Sequence, residues 1–257
     1  MQNPKIQQVR ALISRRKIRE DTKSFVVEGV RIMEDALGSG QIPELVLFSN
    51  QISERGRRLL SEFERKRIPV DEINQDLMNA VSDTRNSQGL LAIYKMTALP
   101  APQQADFVLI LDNIRDPGNL GTILRTAISA DVKMVLLTPG TTDLYSPKVL
   151  RAGMGAHFSI PVFYRNWEQI TELCKKDIQP PIKMFLAEAG KGTSCWETDL
   201  KQPTGLIIGS EAAGPGTEAL NAADELISIP MPGKSESLNA AIAASILIFE
   251  VIRQRKT

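Results

Sequence analysis

The chain has one histidine, two cysteines and few aromatic residues, with Phe, Trp and Tyr together making up 5% of its 257 positions. Each shortage excludes something. With His157 alone, a histidine-based triad is disfavoured. Cys174 and Cys195 form no CxxC and stand apart from any cluster of metal ligands, so no metal centre is expected. Three tyrosines, two tryptophans and eight phenylalanines are too few for a broad base-stacking platform. The longest apolar runs, "FVLIL" and "AAIAASILIF", fall well short of the roughly 20 residues that span a bilayer, and no secretory signal opens the chain. These absences predict a soluble globular protein with no membrane association, cytoplasmic by default, or organellar if the source is eukaryotic.

Net charge is also nearly missing, at +1, but its distribution is uneven. Residues 1–99 carry a net +3 and residues 100–257 a net −2. The stretch "KIQQVRALISRRKIREDTK" holds seven basic residues against two acidic ones. Such a face suits a polyanion, although a solvated basic helix would have the same composition.

What is present falls into two halves. "TALPAPQQAD" (97–106) places two prolines between patterned segments, so we expect domains over 1–98 and 106–257. Upstream, "SFVVEG", "ELVLFS" and "GLLAIYKM" read as strands, and 5–18, 29–38 and 54–67 as helices, giving a small α/β domain. Downstream, "FVLILDN", "KMVLLT", "KMFLAEA", "TGLIIGS" and "ELISIPM" are nearly continuous apolar runs, most of them separated by helix-length segments. Strands apolar on both faces predict a parallel sheet covered by helices.

Three strand-end loops carry the polar residues of interest. In "DNIRDPGNLGTILRTAISAD", Asp116 is a candidate N-cap with Pro117 at the first helical position, and Leu120, Ile123, Leu124, Ala127 and Ile128 form an apolar stripe. Arg125 lies off that stripe, where it is either an ordinary surface arginine or a ligand of the loops at the sheet edge. "LIIGSEAAGPG" offers Gly209, which permits close approach to the backbone, and Glu211, which could equally be a favourable first-turn charge. "ISIPMPGKSESLNAAIAASILIFEVIRQR" puts Ser237 and Asn239 ahead of an apolar helix that either could cap. No loop matches GxGxxG or the P-loop, which argues against a nucleotide-dependent oxidoreductase and against a nucleoside triphosphate site.

Taken in order, these three loops resemble the motifs of the SpoU/TrmH branch of the SPOUT methyltransferases, over roughly residues 106–255; "VLRAGMGAHFSIPV" resembles the segment between the first two motifs. The first half is similar to the substrate-binding domain that precedes the catalytic domain in many members. The resemblance implies a trefoil-knotted α/β SPOUT domain after a small ribosomal-protein-like α/β domain, a homodimer formed through the catalytic domain, and transfer of methyl from S-adenosylmethionine to a ribose 2′-hydroxyl of RNA, ribosomal RNA in preference to tRNA. It implies catalytic roles for Asn119, Arg125, Glu211, Ser237 and Asn239, and cofactor contacts from Gly209, Ile229, Met231 and Leu238. Arg15, Arg16 and Arg19, with Arg10 and Lys17, would then meet structured RNA. A non-catalytic RNA-binding protein that kept the fold is the competing reading, and the intact motif set argues against it.

Overall fold

A computed structural model of the chain describes residues 3–83, 87–102, 104–210 and 214–256. In chain order the elements begin with α1 (Pro4–Ser14), α2 (Arg16–Thr22), β1 (Ser24–Glu28), α3 (Val30–Gly38), β2 (Leu45–Phe48), α4 (Glu54–Arg65), β3 (Val70–Glu72), α5 (Gln75–Val81) and β4 (Leu90–Lys95). They continue with β5 (Phe107–Leu111), α6 (Pro117–Ser129), β6 (Met134–Leu137), α7 (Pro147–Gly153), β7 (Val162–Tyr164), α8 (Trp167–Glu172) and β8 (Lys183–Ala187). The last are β9 (Thr193–Ser194), β10 (Thr204–Ile208), α9 (Thr217–Ala222), β11 (Glu225–Ser228) and α10 (Ala240–Arg255). None of the described helices is long and apolar enough to cross a membrane.

Two units emerge, residues 1–97 with 143–158, and residues 98–142 with 159–257. The first is built on a four-stranded sheet ordered β1-β4-β2-β3, in which only β2 and β3 run parallel. Because alternate side chains leave opposite faces of a strand, Phe25 and Val27 enter one core with α3 and α4, while Val26 enters another with Ile6, Val9 and Leu12 of α1. Helix α4 packs Leu59, Leu60 and Phe63 inward and turns its charged side to solvent.

Residues 143–158, which the sequence reading placed with the second domain, complete the first unit's core. Leu150 and Phe158 are buried members of the Phe25 cluster, and the Phe25 ring lies 4.7 Å from Tyr145 and 6.0 Å from Phe158. His157 is buried with Nε2 at 2.6 Å from the Leu144 carbonyl, and burial holds its pKa down to about 4, so the ring is neutral at physiological pH.

The expected helix over 5–18 is broken at Arg15, whose backbone is extended. The break has a physical cause. Arg19, expected to meet RNA, is only 5% exposed; its guanidinium folds back to donate to the carbonyls of Leu12 and Ile13 and pairs with Asp143. It thereby satisfies carbonyls that the end of α1 leaves without helical partners. Arg19 is therefore removed from the RNA contacts. Arg15 is exposed, and Arg16 is exposed in an ion pair with Glu20 one turn on.

The second unit carries a seven-stranded, fully parallel sheet ordered β7-β6-β5-β10-β8-β11-β9. Its central strands are buried throughout, as their uninterrupted apolar sequences require. Helices α8 and α9 cover one side. Helix α10 packs on α6 and β10, with Thr126 and Ser245 exchanging a hydrogen bond at 3.1 Å.

Candidate active site

All the strands of this sheet point the same way, so their C-terminal ends form one edge, where ligands of open α/β sheets bind. Helix α6 starts there. Asp116 caps it by accepting from Asn119 N at 2.8 Å, and Pro117 occupies the first position as the sequence predicts.

Asn239 answers the question of cap or site by doing two things. Its Oδ1 accepts from Ala241 N at 3.0 Å and Ile242 N at 3.3 Å, capping α10. With the oxygen so committed, the amide nitrogen faces away and donates to Asn119 Oδ1 at 3.0 Å. The starts of two helices, at residues 120 positions apart, are thus tied by their amides.

Beside this pair a cavity of about 280 Å³ opens among the ends of β8, β10 and β11 and the start of α10. Gly209, Ile229, Met231 and Leu238, the four expected cofactor residues, all line it, and so does Ser237. Ala187, Glu188, Gly214, Pro215 and Leu247 complete much of the wall. Among the described residues, a Cβ placed on Gly209 would meet one heavy atom within 4 Å, Pro215 Cα at 3.8 Å, an ordinary contact distance that leaves the backbone here approachable. Apolar walls, a bare glycine backbone and one carboxylate suit an adenosine-containing cofactor bound through backbone groups. No cluster of metal-ligating side chains is found among the described residues.

Arg125 is placed differently. It is exposed on α6, six residues beyond Asn119, and it does not line the cavity. It lies one residue before Thr126, which meets α10, and that helix exposes Ile242, Ile246 and Phe249 at 53%, 38% and 49%. A helix so uniformly apolar between Ala240 and Phe249 is expected to be buried, against the core or at a subunit interface. Glu211 lies outside the described residues.

Glu188 was missed by the sequence reading. It follows β8, its backbone N–H donates to Ile227 O at 3.0 Å, and its carboxylate pairs with Lys191. The available signal was a carboxylate directly after an apolar strand of the parallel sheet. Replacing Gly209 by leucine is expected to fill the cavity without straining the backbone. S-adenosylmethionine affinity should fall at least about tenfold, equivalent to about 1.4 kcal/mol, with thermal stability retained. Calorimetric titration and a melting curve check both halves of that statement.

Comparison with known proteins agrees with this geometry. The SpoU rRNA Methylase family matches residues 106–249, and the MRM3-like substrate binding domain matches residues 3–92. The chain is 32% identical over 240 residues to the 23S rRNA (guanosine(2553)-2′-O)-methyltransferase RlmP of Bacillus subtilis, with 92% of this chain and 91% of that protein covered. It is 31% identical to the mitochondrial rRNA methyltransferase 3 of Mus musculus, covering 97% of this chain and 72% of that one. Among solved structures, the SpoU methyltransferase AviRb from Streptomyces viridochromogenes in complex with AdoMet superposes with a TM-score of 0.88 at 29% identity, covering 99% of both chains. An AdoMet-bound rRNA methyltransferase from Sinorhizobium meliloti gives 0.87 at 30% identity, covering 98% of this chain and 95% of that one.

Proposed function

The chain belongs to the SpoU rRNA methylase family and is an S-adenosylmethionine-dependent RNA ribose 2′-O-methyltransferase, and we propose that its substrate is ribosomal RNA, held in part by the N-terminal domain. The observation that carries this reading is the Asn119–Asn239 pair set beside a cavity lined by all four expected cofactor residues.

S-adenosylmethionine supplies an electrophilic methyl group when bound. The chain must hold the ribose hydroxyl in line with it and stabilise the oxygen as its proton passes to solvent, the new O–C bond replacing the sulfur–methyl bond and leaving S-adenosylhomocysteine; orientation of this kind is worth about 7–11 kcal/mol. Asn119 and Asn239, already locked to each other, orient the substrate together with Ser237 and Glu211. A guanidinium donates and does not accept, so Arg125 contacts the ribose and an adjacent phosphate and stabilises the developing alkoxide.

The position of Arg125 outside its own chain's cavity supports assembly as a homodimer through α6 and α10, which would bring residues of both subunits to each site. The exposed stripe of Ile242, Ile246 and Phe249 is the apolar surface such an interface requires. Ile246→Glu is expected to convert the dimer to a monomer in light scattering and to remove transfer with it; an active monomer would contradict the assembly. The trefoil knot is part of the same proposal: from β11, beyond β8 in the sheet, the chain returns along 229–239 so that α10 packs on α6 and β10. We place the enzyme in the cytoplasm, with an organelle as the alternative suggested by the mitochondrial relatives.

The test is transfer of labelled methyl from S-adenosylmethionine to unmodified ribosomal RNA and to unmodified tRNA in parallel. Label confined to ribosomal RNA is the expected result; label confined to tRNA would overturn the assignment of substrate.

A further inference from the structure

The cavity occupies the ends of β8, β10 and β11, and the loops directly after β5, β6 and β7 on the same sheet edge lie outside its lining. Their loops are stitched together. Thr142 N donates to Ile114 O at 2.9 Å, and Tyr164 Oη donates to Thr142 O at 3.0 Å. Asn113 N donates at 2.9 Å to Thr138 Oγ1, whose own hydroxyl donates to the buried Asp112 carboxylate at 2.8 Å.

Among the described residues two exposed arginines follow these strands: Arg165 turns Nη1 back on the Tyr164 carbonyl at 2.9 Å and lies over the Phe163 ring, whereas Arg115 is held by a side chain of the framework. Arg115 is exposed, and its Nε donates to Asn113 Oδ1 at 3.2 Å. No carboxylate among the described residues forms an ion pair with it. Two features show that the anchor is built and not incidental. Asn113 holds a left-handed backbone at φ 56°, a conformation that costs most residues energy and that asparagine tolerates better than most. Opposite it, Gly140 sits at φ 89°, and a Cβ there would come within 2.6 Å of Asn113 Oδ1. The carboxamide thus occupies space that only glycine leaves free, and through Nε it anchors the guanidinium of an exposed arginine.

A ribose inside an RNA chain is flanked by phosphodiesters, so any 2′-hydroxyl brought to the Asn119–Asn239 pair brings phosphates to the neighbouring strand ends. Arg115 immediately precedes the cap of the helix that carries Asn119. We propose that Arg115, oriented by Asn113, is a substrate-positioning residue that binds an RNA backbone phosphate next to the target nucleotide. This rests on the RNA methyltransferase reading above. It gives the catalytic domain a phosphate contact beyond the one assigned to Arg125, independent of the basic N-terminal segment.

The experiment uses the full chain with unmodified ribosomal RNA and measures three quantities: steady-state KM and kcat for RNA, the salt dependence of RNA binding, and S-adenosylmethionine affinity by calorimetry. Arg115→Ala is expected to raise KM for RNA roughly tenfold, as loss of a charge-assisted phosphate contact should. It should also flatten the slope of log affinity against log salt by about one. Values of kcat and cofactor affinity should match the wild type. Arg115→Lys restores the slope and part of KM. Asn113→Gly tolerates the left-handed backbone but removes the anchor, so it should raise KM a few-fold, roughly, with the slope unchanged. An Arg115→Ala protein with wild-type KM and slope would overturn the proposal, and so would one whose defect is in cofactor affinity. The slope is read from binding alone. A wild type that binds RNA but transfers no methyl would therefore count against the reaction, while Arg115 is still tested.

Discussion

Arg125→Ala is expected to lower methyl transfer by roughly 10²–10³-fold, the scale of removing one donor to a developing oxyanion, while S-adenosylmethionine affinity stays close to wild type. The separation follows from placement. Arg125 is exposed on α6 and contributes nothing to the cavity that holds Gly209, Ile229, Met231 and Leu238. Its helix is organised by Asp116, Pro117 and the buried stripe of Leu120, Ile123, Leu124 and Ala127, none of which the substitution touches. Stability should therefore change little, as for most exposed sites. Single-turnover kinetics with saturating RNA and cofactor measure the transfer step. A variant retaining more than about a tenth of wild-type turnover would remove Arg125 from the chemistry, because one tenfold step is only about 1.4 kcal/mol of barrier.

Asp143→Ala should have the largest effect on stability. The Arg19 and Asp143 side chains are 6% and 14% exposed, and the same carboxylate oxygen, Oδ2, accepts from both Nε and Nη2 of the guanidinium. Removing the acid strands a buried cation, a change that costs about 3–5 kcal/mol. That is a large fraction of the roughly 5–15 kcal/mol that holds a domain folded. The other oxygen, Oδ1, accepts from Tyr145 N at 3.0 Å, so the turn that leads α7 and Phe158 into the first unit's core loosens as well. Denaturant unfolding should show the first unit melting earlier. Replacing both partners with apolar residues, Arg19→Met with Asp143→Leu, should recover part of the loss, since no charge is then left buried although the Leu12 and Ile13 carbonyls and Tyr145 N lose their partners. A loss below about 1 kcal/mol for Asp143→Ala would mean that the pair behaves as a surface ion pair.

Arg19 also marks the limit of what the sequence makes visible. Its charge is plain in "SRRKIRED", and the neighbouring arginines supported the expectation of an RNA contact. Its destination depends on an aspartate 124 residues away, and no local pattern encodes that. The same holds for residues 143–158, whose attachment to the first unit comes from Tyr145, Leu150 and Phe158 meeting Phe25 across the fold. The long parallel strands were legible because burial on both faces leaves an unbroken apolar run, as in β5 and β10. Strand β9, with two residues, and β3, with three partly exposed ones, are too short to leave a period, and α5 has only seven residues. In the site, the caps Asp116 and Asn239 were readable from local chemistry. The bond between Asn239 and Asn119 was not, because it joins two helix starts whose adjacency depends on sheet order.

The most direct test of the account is the chemical identity of the product. RNA methylated with labelled S-adenosylmethionine is digested to nucleosides and analysed by mass spectrometry. The account predicts the label in a 2′-O-methyl ribonucleoside. Label on a nucleobase, or no label in RNA that the protein binds, would contradict it.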